Sequence, residues 1–127
     1  MTIQHPSDPS AAEMAKHLPV AIVKFLREAD PQRKANAHDL LSAFAAGATV
    51  VDDDGTTYTG HDEIHRWREA EASEYTYTVE ISHVEKFDDS QYVVTNHLEG
   101  DFPGGVVDII YRFTLADGLI ARLEIAP

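Results

Sequence analysis

Four long runs of β-branched and aromatic residues fill the second half of the chain and constrain its fold more than any other feature. They cover residues 75–87, 92–102, 106–116 and 119–125. Such residues favour extended strands. The segments that join them are short, and the last one, Asp117-Gly118, is a favoured two-residue hairpin pair. Four consecutive strands joined in this way predict an antiparallel meander.

The third of these runs also predicts which side of the sheet is buried. Its odd-numbered residues are apolar or aromatic, and its even-numbered residues are more polar. Because successive side chains of a strand point to opposite faces, the odd-numbered set is expected to face the core. The core-facing set is Val107, Ile109, Tyr111, Phe113 and Leu115.

The first half of the chain predicts helices. Apolar residues recur at spacings of three and four over 18–29 and again from 37 to 45, where Gly47 is a natural stop. Asp30-Pro31 is a strong start signal for the second of these helices. A third helix is expected over 61–72, and short extended pieces over 49–52 and 56–59.

Helices followed by an antiparallel sheet define an α+β class in which helices cover one sheet face. We expect a flexible tail over residues 1–15, which carry two prolines, and a single domain over 16–127. The sequence has no apolar run near the roughly 20 residues that span a bilayer. A cytoplasmic protein is therefore expected.

The composition excludes several classes of partner and site. The net charge is -12, with only ten lysines and arginines, so phosphate backbones and anionic membranes are expected to be repelled. Neither nucleic acid nor a membrane is a predicted partner. The sequence has no cysteine, which removes disulfides, thiolate zinc sites and cysteine nucleophiles.

Three segments together resemble a known superfamily. They are residues 44–52 (FAAGATVVD), residues 58–64 (YTGHDEI), and the closing hairpin formed by 111–113 and 117–120. In order and spacing they resemble the nuclear transport factor 2-like superfamily, and within it the SnoaL-like polyketide cyclases and ketosteroid isomerase relatives.

The resemblance implies a cystatin-like, cone-shaped barrel of a curved antiparallel sheet packed against three N-terminal helices. It also implies a homodimer formed through the outer sheet face, which here includes Ile110 and Arg112. The fold carries isomerases, cyclases, dehydratases and non-catalytic binding modules, so it does not decide the function.

Asp52 is the first catalytic candidate. Residues 48–52 resemble the segment that carries the catalytic Asp of ketosteroid isomerase, and a carboxylate that faces an apolar cone can act as a general base. The alternative is that Asp52 starts a solvated acidic turn with Asp53 and Asp54. The rest of the isomerase apparatus differs, because helix one offers Ile22 or Phe25 in place of a Tyr.

His97 and Asp108 are the other catalytic candidates. Residues 97–102 (HLEGDF) resemble the His motif of SnoaL-like cyclases with one extra residue, which makes His97 a candidate acid or base. The alternative places His97 on an outward polar row with Thr95 and Glu99. Asp108 is one residue out of register with the strand Asp of the isomerase, so it is expected to face the opposite side unless a bulge intervenes.

Four aromatic residues are candidates for a ligand pocket, although each is also a plausible core residue. They would offer flat apolar walls to a small apolar or aromatic molecule. They are Trp67, Tyr77, Phe102 and Tyr111. No metal is expected, since His61 and His65 lack a third ligand and the acidic run after Val51 does not fit a calcium loop.

Two functions remain open at this point. The first is a small cofactor-independent enzyme of isomerase, cyclase or dehydratase type, in which Asp52 or His97 moves a proton beside a carbonyl group. The second is a non-catalytic ligand-binding or dimer-scaffold protein of the same fold.

Overall fold

A computed structural model describes residues 15–28, 37–70 and 76–127, and it contains one curved sheet of six strands. The spatial order of the strands is β2-β1-β6-β5-β4-β3. Neighbouring strands are antiparallel except β1 and β6, which are parallel. The strands are β1 (Phe44–Val51), β2 (Thr57–Thr59), β3 (Tyr77–Asp88), β4 (Gln91–Gly100), β5 (Val106–Ala116) and β6 (Leu119–Ala126).

The predicted α+β class and the predicted meander are confirmed. Strands β3 to β6 follow one another as antiparallel neighbours, within a few residues of their expected ends. Asp117 and Gly118 both have positive φ, 53° and 79°, as a two-residue hairpin turn of the favoured type requires. The sheet is open, with β2 and β3 at its edges, so the cone is a curved sheet covered by helices and not a closed barrel.

Helices cover the concave, inner face of this sheet. They are α1 (Val20–Glu28), α2 (Ala37–Leu41) and α3 (Gly60–Ala70). Phe25 of α1 is 1% exposed and meets the rings of Phe44, Tyr111 and Phe113 edge-on, with centroids 5.6 to 5.8 Å apart. Such edge-to-face contacts suit the quadrupole of aromatic rings. They fix α1 against strands β1 and β5.

The predicted end of the second helix is wrong. Helix α2 ends at Leu41, and the residues from Phe44 onward form β1. Phe44 pairs with Ile120 of β6, and the Ile120 N–H donates to the carbonyl of Ala43 over 2.9 Å. Tertiary pairing with β6 therefore overrides the helical spacing of the apolar residues. Gly47 lies in an irregular stretch of this strand and not at a helix end.

Two expectations from the sequence fall on residues outside the described ranges. The helix start at Asp30-Pro31 lies outside them, and so does all of the predicted tail except residue 15. Among the described residues, no helix has the length and apolar character needed to cross a membrane.

Candidate ligand-binding and active site

A cavity of about 170 Å³ lies between the helices and the inner face of the sheet. Four of the seven sequence-predicted site residues line it: Asp52, Trp67, Tyr77 and Tyr111. They come from the end of β1, from α3, from the start of β3 and from β5. The fold thus brings together residues that are up to 59 positions apart in the sequence.

Both carboxylate oxygens of Asp52 accept a hydrogen bond. Oδ2 accepts the indole N–H of Trp67 over 3.1 Å, and Oδ1 accepts the backbone N–H of Asp53 over 2.8 Å. Trp67 is buried and Asp52 is half-buried. Each carboxylate oxygen can accept more than one hydrogen bond, so both keep acceptor capacity for a ligand. The two donors fix the direction in which the carboxylate faces.

The acidic turn after β1 holds Asp52 in place. The N–H of Asp52 donates to the carbonyl of Thr56 over 2.9 Å, and the Gly55 N–H donates back to the Asp52 carbonyl over 2.9 Å. Asp54 Oδ1 accepts the Thr56 N–H, and this bond is the main reason that the pKa of Asp54 is lowered. Asp54 is exposed and stabilises the turn, whereas Asp52 faces the cavity.

Tyr77, the first residue of β3, is positioned by a tight contact with the neighbouring strand. It pairs with Gly100 of β4, where a Cβ atom would collide with the backbone of Thr76 and with Tyr77 itself. Asp101 Oδ1 accepts the Thr76 N–H over 2.8 Å and closes the same corner. Phe102 meets the Tyr77 ring edge-on at 6.1 Å but does not line the cavity.

His97 and Asp108 lie on the other, outer face of the sheet. They are direct partners across β4 and β5, and no bulge interrupts the register between these strands. Because Ile109 and Tyr111 face the cavity, strand alternation turns Asp108 away from it. The structure therefore does not bring His97 or Asp108 together with Asp52. This is the outward polar arrangement that the sequence left open as an alternative.

The outer His97 side chain lies between two carboxylates. Its Nδ1 is 2.7 Å from Asp108 Oδ1, and its Nε2 is 2.7 Å from Glu99 Oε2. These hydrogen bonds, first to Asp108 and then to Glu99, raise the pKa of His97 above its ordinary value. Only the protonated imidazole can donate at both nitrogens, so the pair of contacts favours the cation.

The two histidines of α3 serve structural roles in the described part of the chain. His61 Nε2 is 3.0 Å from the carbonyl of Phe44, and a ring N–H donated there joins the start of α3 to β1. His65 lies 3.8 Å from Glu69, one helical turn further along. The His61 ring nitrogen that points inward is thus occupied by backbone.

Five cavity residues were not identified from the sequence as ligand contacts. They are Phe25, Asp53, Arg68, Ile109 and Ile125. Alternation along β5 identifies Ile109 as a neighbour of Tyr111 on the same face, so this residue was within reach of sequence reasoning. Arg68 follows Trp67 on α3, and only the helix orientation shows that it reaches the cavity.

A larger concavity of about 420 Å³ lies on the outer face. It is lined by residues of β3 to β6, among them Phe87, Val93, Arg112 and Glu124. None of the sequence-predicted site residues borders it. We therefore place the candidate site in the inner cavity, where a carboxylate and aromatic rings converge.

Comparisons with solved structures agree with this architecture. A candidate polyketide cyclase from Sinorhizobium meliloti is 31% identical with a TM-score of 0.74, over 87% of this chain and 97% of that one. A protein from Catenulispora acidiphila with a ketosteroid isomerase-like fold, solved with trimethylamine, is 18% identical with a TM-score of 0.70, over 86% and 85% of the two chains.

A candidate SnoaL-like polyketide cyclase from Jannaschia is 15% identical with a TM-score of 0.70, over 98% of this chain and 90% of that one. No protein-family model and no curated protein matches the chain. The identity and coverage of the Sinorhizobium protein nonetheless assign the family. The chain belongs to the polyketide cyclase-like family of that protein, within the nuclear transport factor 2-like superfamily, and the SnoaL-like and ketosteroid isomerase-like structures share its fold.

Proposed function

We propose that the chain binds a small carbonyl compound in the inner cavity and that Asp52 acts on it as a general base. The observation that carries this proposal is the placement of Asp52. Its carboxylate faces a cavity walled mainly by aromatic and aliphatic side chains and is held there by Trp67 and the Asp53 N–H. A carboxylate that is fixed beside a cavity for a small molecule is suited to proton abstraction.

The size and walls of the cavity support a small cyclic ligand. Its volume of about 170 Å³ is close to that of an engineered cavity of roughly 150 Å³ that binds benzene. Phe25, Tyr77 and Tyr111 supply flat surfaces along which a ring can lie. The trimethylamine in the Catenulispora relative is in keeping with a pocket for small molecules.

The proposed chemistry needs only side chains. Asp52 removes a proton from the carbon beside the carbonyl group, which leaves a protonated carboxyl group and an enolate. Return of that proton to the far carbon of a dienolate, formed from an unsaturated ketone, completes an isomerisation. Attack of the enolate on a second carbonyl carbon of the ligand instead forms a C–C bond and an alkoxide, which takes the proton back from Asp52 and completes a cyclisation. Tyr77 and Tyr111 line the same cavity, and their hydroxyl groups are candidates to stabilise the enolate oxygen.

This mechanism assigns no step to His97 or Asp108, because both lie on the outer face. It also differs from that of ketosteroid isomerase. Ile22 and Phe25 of α1 are buried apolar residues where that enzyme carries an oxyanion-hole Tyr.

Hydrogen exchange of a simple ketone tests the proposal without knowledge of the natural substrate. Acetophenone in D₂O loses its methyl proton resonance when a base catalyses enolisation. Wild-type protein is expected to accelerate this loss, and Asp52→Asn to lower the rate by about 100-fold or more, the usual contribution of a general base. Asp54→Asn is the matched control, since it makes the same change in the same turn but away from the cavity.

Equal exchange rates for wild type and Asp52→Asn would remove Asp52 from the mechanism. Binding of the ketone without exchange would instead favour the second candidate, a non-catalytic binding protein. One observation favours that candidate: both Asp52 oxygens already accept hydrogen bonds from the protein.

We also propose that the outer face pairs two copies of the chain. Phe87 is 60% exposed on this face and lines the outer concavity together with Arg112 and Glu124. Exposed aromatic side chains and arginine are enriched at protein interfaces. Ile110, half-buried, and Arg112, exposed, lie on this same face. A cytoplasmic location stays a prediction from the sequence.

A further inference from the structure

Arg68 places a positive charge in the wall of the inner cavity. Among the cavity residues that the structure describes, Asp52 and Asp53 are acidic and Arg68 alone is basic. Arg68 is half-buried, whereas Arg66, two residues earlier on the same helix, is exposed and does not line the cavity. A guanidinium group is effectively always protonated in a protein. The charge in the cavity wall is therefore permanent.

The spacing along α3 puts this charge on the side of the helix that faces the cavity. Ile64 is fully buried and Trp67 is 4% exposed. Arg68 follows Ile64 by four residues, so the two side chains lie on the same side of the helix. The helix dipole favours a basic residue in this last turn, but it does not select one side of the helix over another. An inward-facing cation therefore needs a further reason.

The guanidinium group of Arg68 is suited to a carboxylate. It carries five N–H donors in a planar fork, so it can bind a protein partner and a ligand at the same time. Two of these donors match the two oxygens of a carboxylate. The enolate oxygen already has candidate donors in the hydroxyl groups of Tyr77 and Tyr111. Arg68 is thus suited to a second, acidic group of the ligand.

We propose that Arg68 determines ligand specificity by binding a carboxylate group of the ligand. This inference rests on the proposed function of the inner cavity, and it narrows the ligand to a small carbonyl compound that also bears a carboxylate. The chain as a whole disfavours such a ligand, because its net charge is -12 and both Asp52 and Asp53 line the same cavity. A preference for an acid must therefore come from Arg68.

A matched pair of ketones tests this assignment. The probes are 4-acetylbenzoate and 4-acetylbenzamide, which are similar in size and shape, while only the first carries a negative charge at neutral pH. Trp67 is the single tryptophan of the chain and lines the cavity, so its indole N–H resonance in H₂O reports binding. Wild type is expected to bind the acid about tenfold more tightly than the amide, the effect of one hydrogen-bonded charge pair.

Arg68→Gln removes the charge and is expected to weaken binding of the acid by about tenfold or more, with binding of the amide nearly unchanged. Arg68→Lys keeps the charge without the planar fork and is expected to keep part of the preference. Arg66→Gln removes the same charge from an exposed position of the same helix and is the control that keeps the wild-type ratio. If Arg68→Gln does not fold, the preference must still exist in wild type and fall in Arg68→Lys.

Two results would overturn the inference while the proposed binding function stands. One is that wild type binds both ketones without preferring the acid, and the other is an unchanged preference for the acid in Arg68→Gln. In the second case, slower hydrogen exchange of acetophenone in Arg68→Gln would assign the guanidinium group to the enolate oxygen instead. Failure of both ketones to bind wild type would contradict the proposed function and the inference with it.

Discussion

The indole N–H of Trp67 on α3 donates to Oδ2 of Asp52 at the end of β1, over 3.1 Å. A helix thereby sets the direction of a strand-end carboxylate. Glu63 Oε1 accepts the Thr59 N–H over 2.8 Å and stabilises the beginning of the same helix. The candidate base is thus positioned by α3 as much as by its own turn.

Replacement of Trp67 by phenylalanine tests this positioning role. The change keeps an aromatic ring but removes the donor to Asp52, and we expect ketone exchange to fall by about tenfold, as the loss of one hydrogen bond of roughly 1.4 kcal/mol would produce. Ile64→Val on the same helix is the control, since it costs about 1 kcal/mol of stability without contacting Asp52. An equal fall in rate for both variants would show a merely structural effect.

Gly100→Ala is expected to disturb the cavity through Tyr77. An added Cβ would collide with the Thr76 backbone and with Tyr77, so the start of β3 must move. We expect a loss of about 1–3 kcal/mol in the free energy of unfolding, together with weaker ketone binding. Chemical denaturation measures the free energy of unfolding. Titration with the ketone, followed by the NMR resonances of the Trp67 indole in the cavity wall, measures binding.

Gly47→Ala is the matched control for that change. Its Cβ would meet nothing within 4 Å, and Gly47 has no positive φ. We therefore expect little change in either measurement. Similar losses in both glycine variants would contradict the claim that the contact between Gly100 and Tyr77 shapes the cavity.

The outer-face His97 predicts a pH dependence of stability. Hydrogen bonds to Asp108 and then to Glu99 raise its pKa above the ordinary 6.5. Glu80, its partner on β3, lies on the same face and adds a third acid. A raised pKa in the folded state means that the stabilisation is fully present below the unfolded pKa and is lost as pH rises through the folded pKa.

Unfolding free energies measured from below pH 6.5 to above the folded pKa, in wild type and His97→Gln, check this prediction. Wild type should lose stability relative to the variant as pH rises through that window. Asp108→Asn should lower the pKa of His97 in an NMR titration. A wild-type His97 that titrates at or below 6.5 would contradict the assignment.

The proposed dimer predicts a mass of two chains in light scattering, against 14.1 kDa for one chain. Arg112→Glu places another negative charge in the outer concavity, which Glu124 also lines, and should favour the single chain. Lys16→Glu makes the same charge change at an exposed position before α1 and serves as the control. A wild-type mass of 14.1 kDa, that of one chain, would contradict the proposed dimer.

The strands of the meander were predictable because each carries its own pattern and is bounded by short turns. Phe44 shows where such reasoning stops. Its spacing from Leu40 and Leu41 suits a helix, yet pairing with Ile120, 76 residues later, makes it a strand residue. Local patterns contain no information on a partner so distant.

The candidate site was predictable to a similar extent. Asp52 and Trp67 were each identified alone, but their hydrogen bond depends on how α3 crosses the end of β1. Strand alternation favoured the outward placement of Asp108, and the unbroken register between β4 and β5 produces it.

The central claim is that binding and proton transfer occur at one place, the inner cavity beside Asp52. Titration of the wild-type chain with acetophenone in D₂O measures both at once, through the carbon-bound indole protons of Trp67, which do not exchange with the solvent, and through the loss of the ketone methyl signal. We predict that the exchange rate saturates at the same ketone concentration as the Trp67 shift, and that Asp52→Asn keeps the shift but loses the exchange. Exchange that saturates without a Trp67 shift, or that persists in Asp52→Asn, would contradict the account.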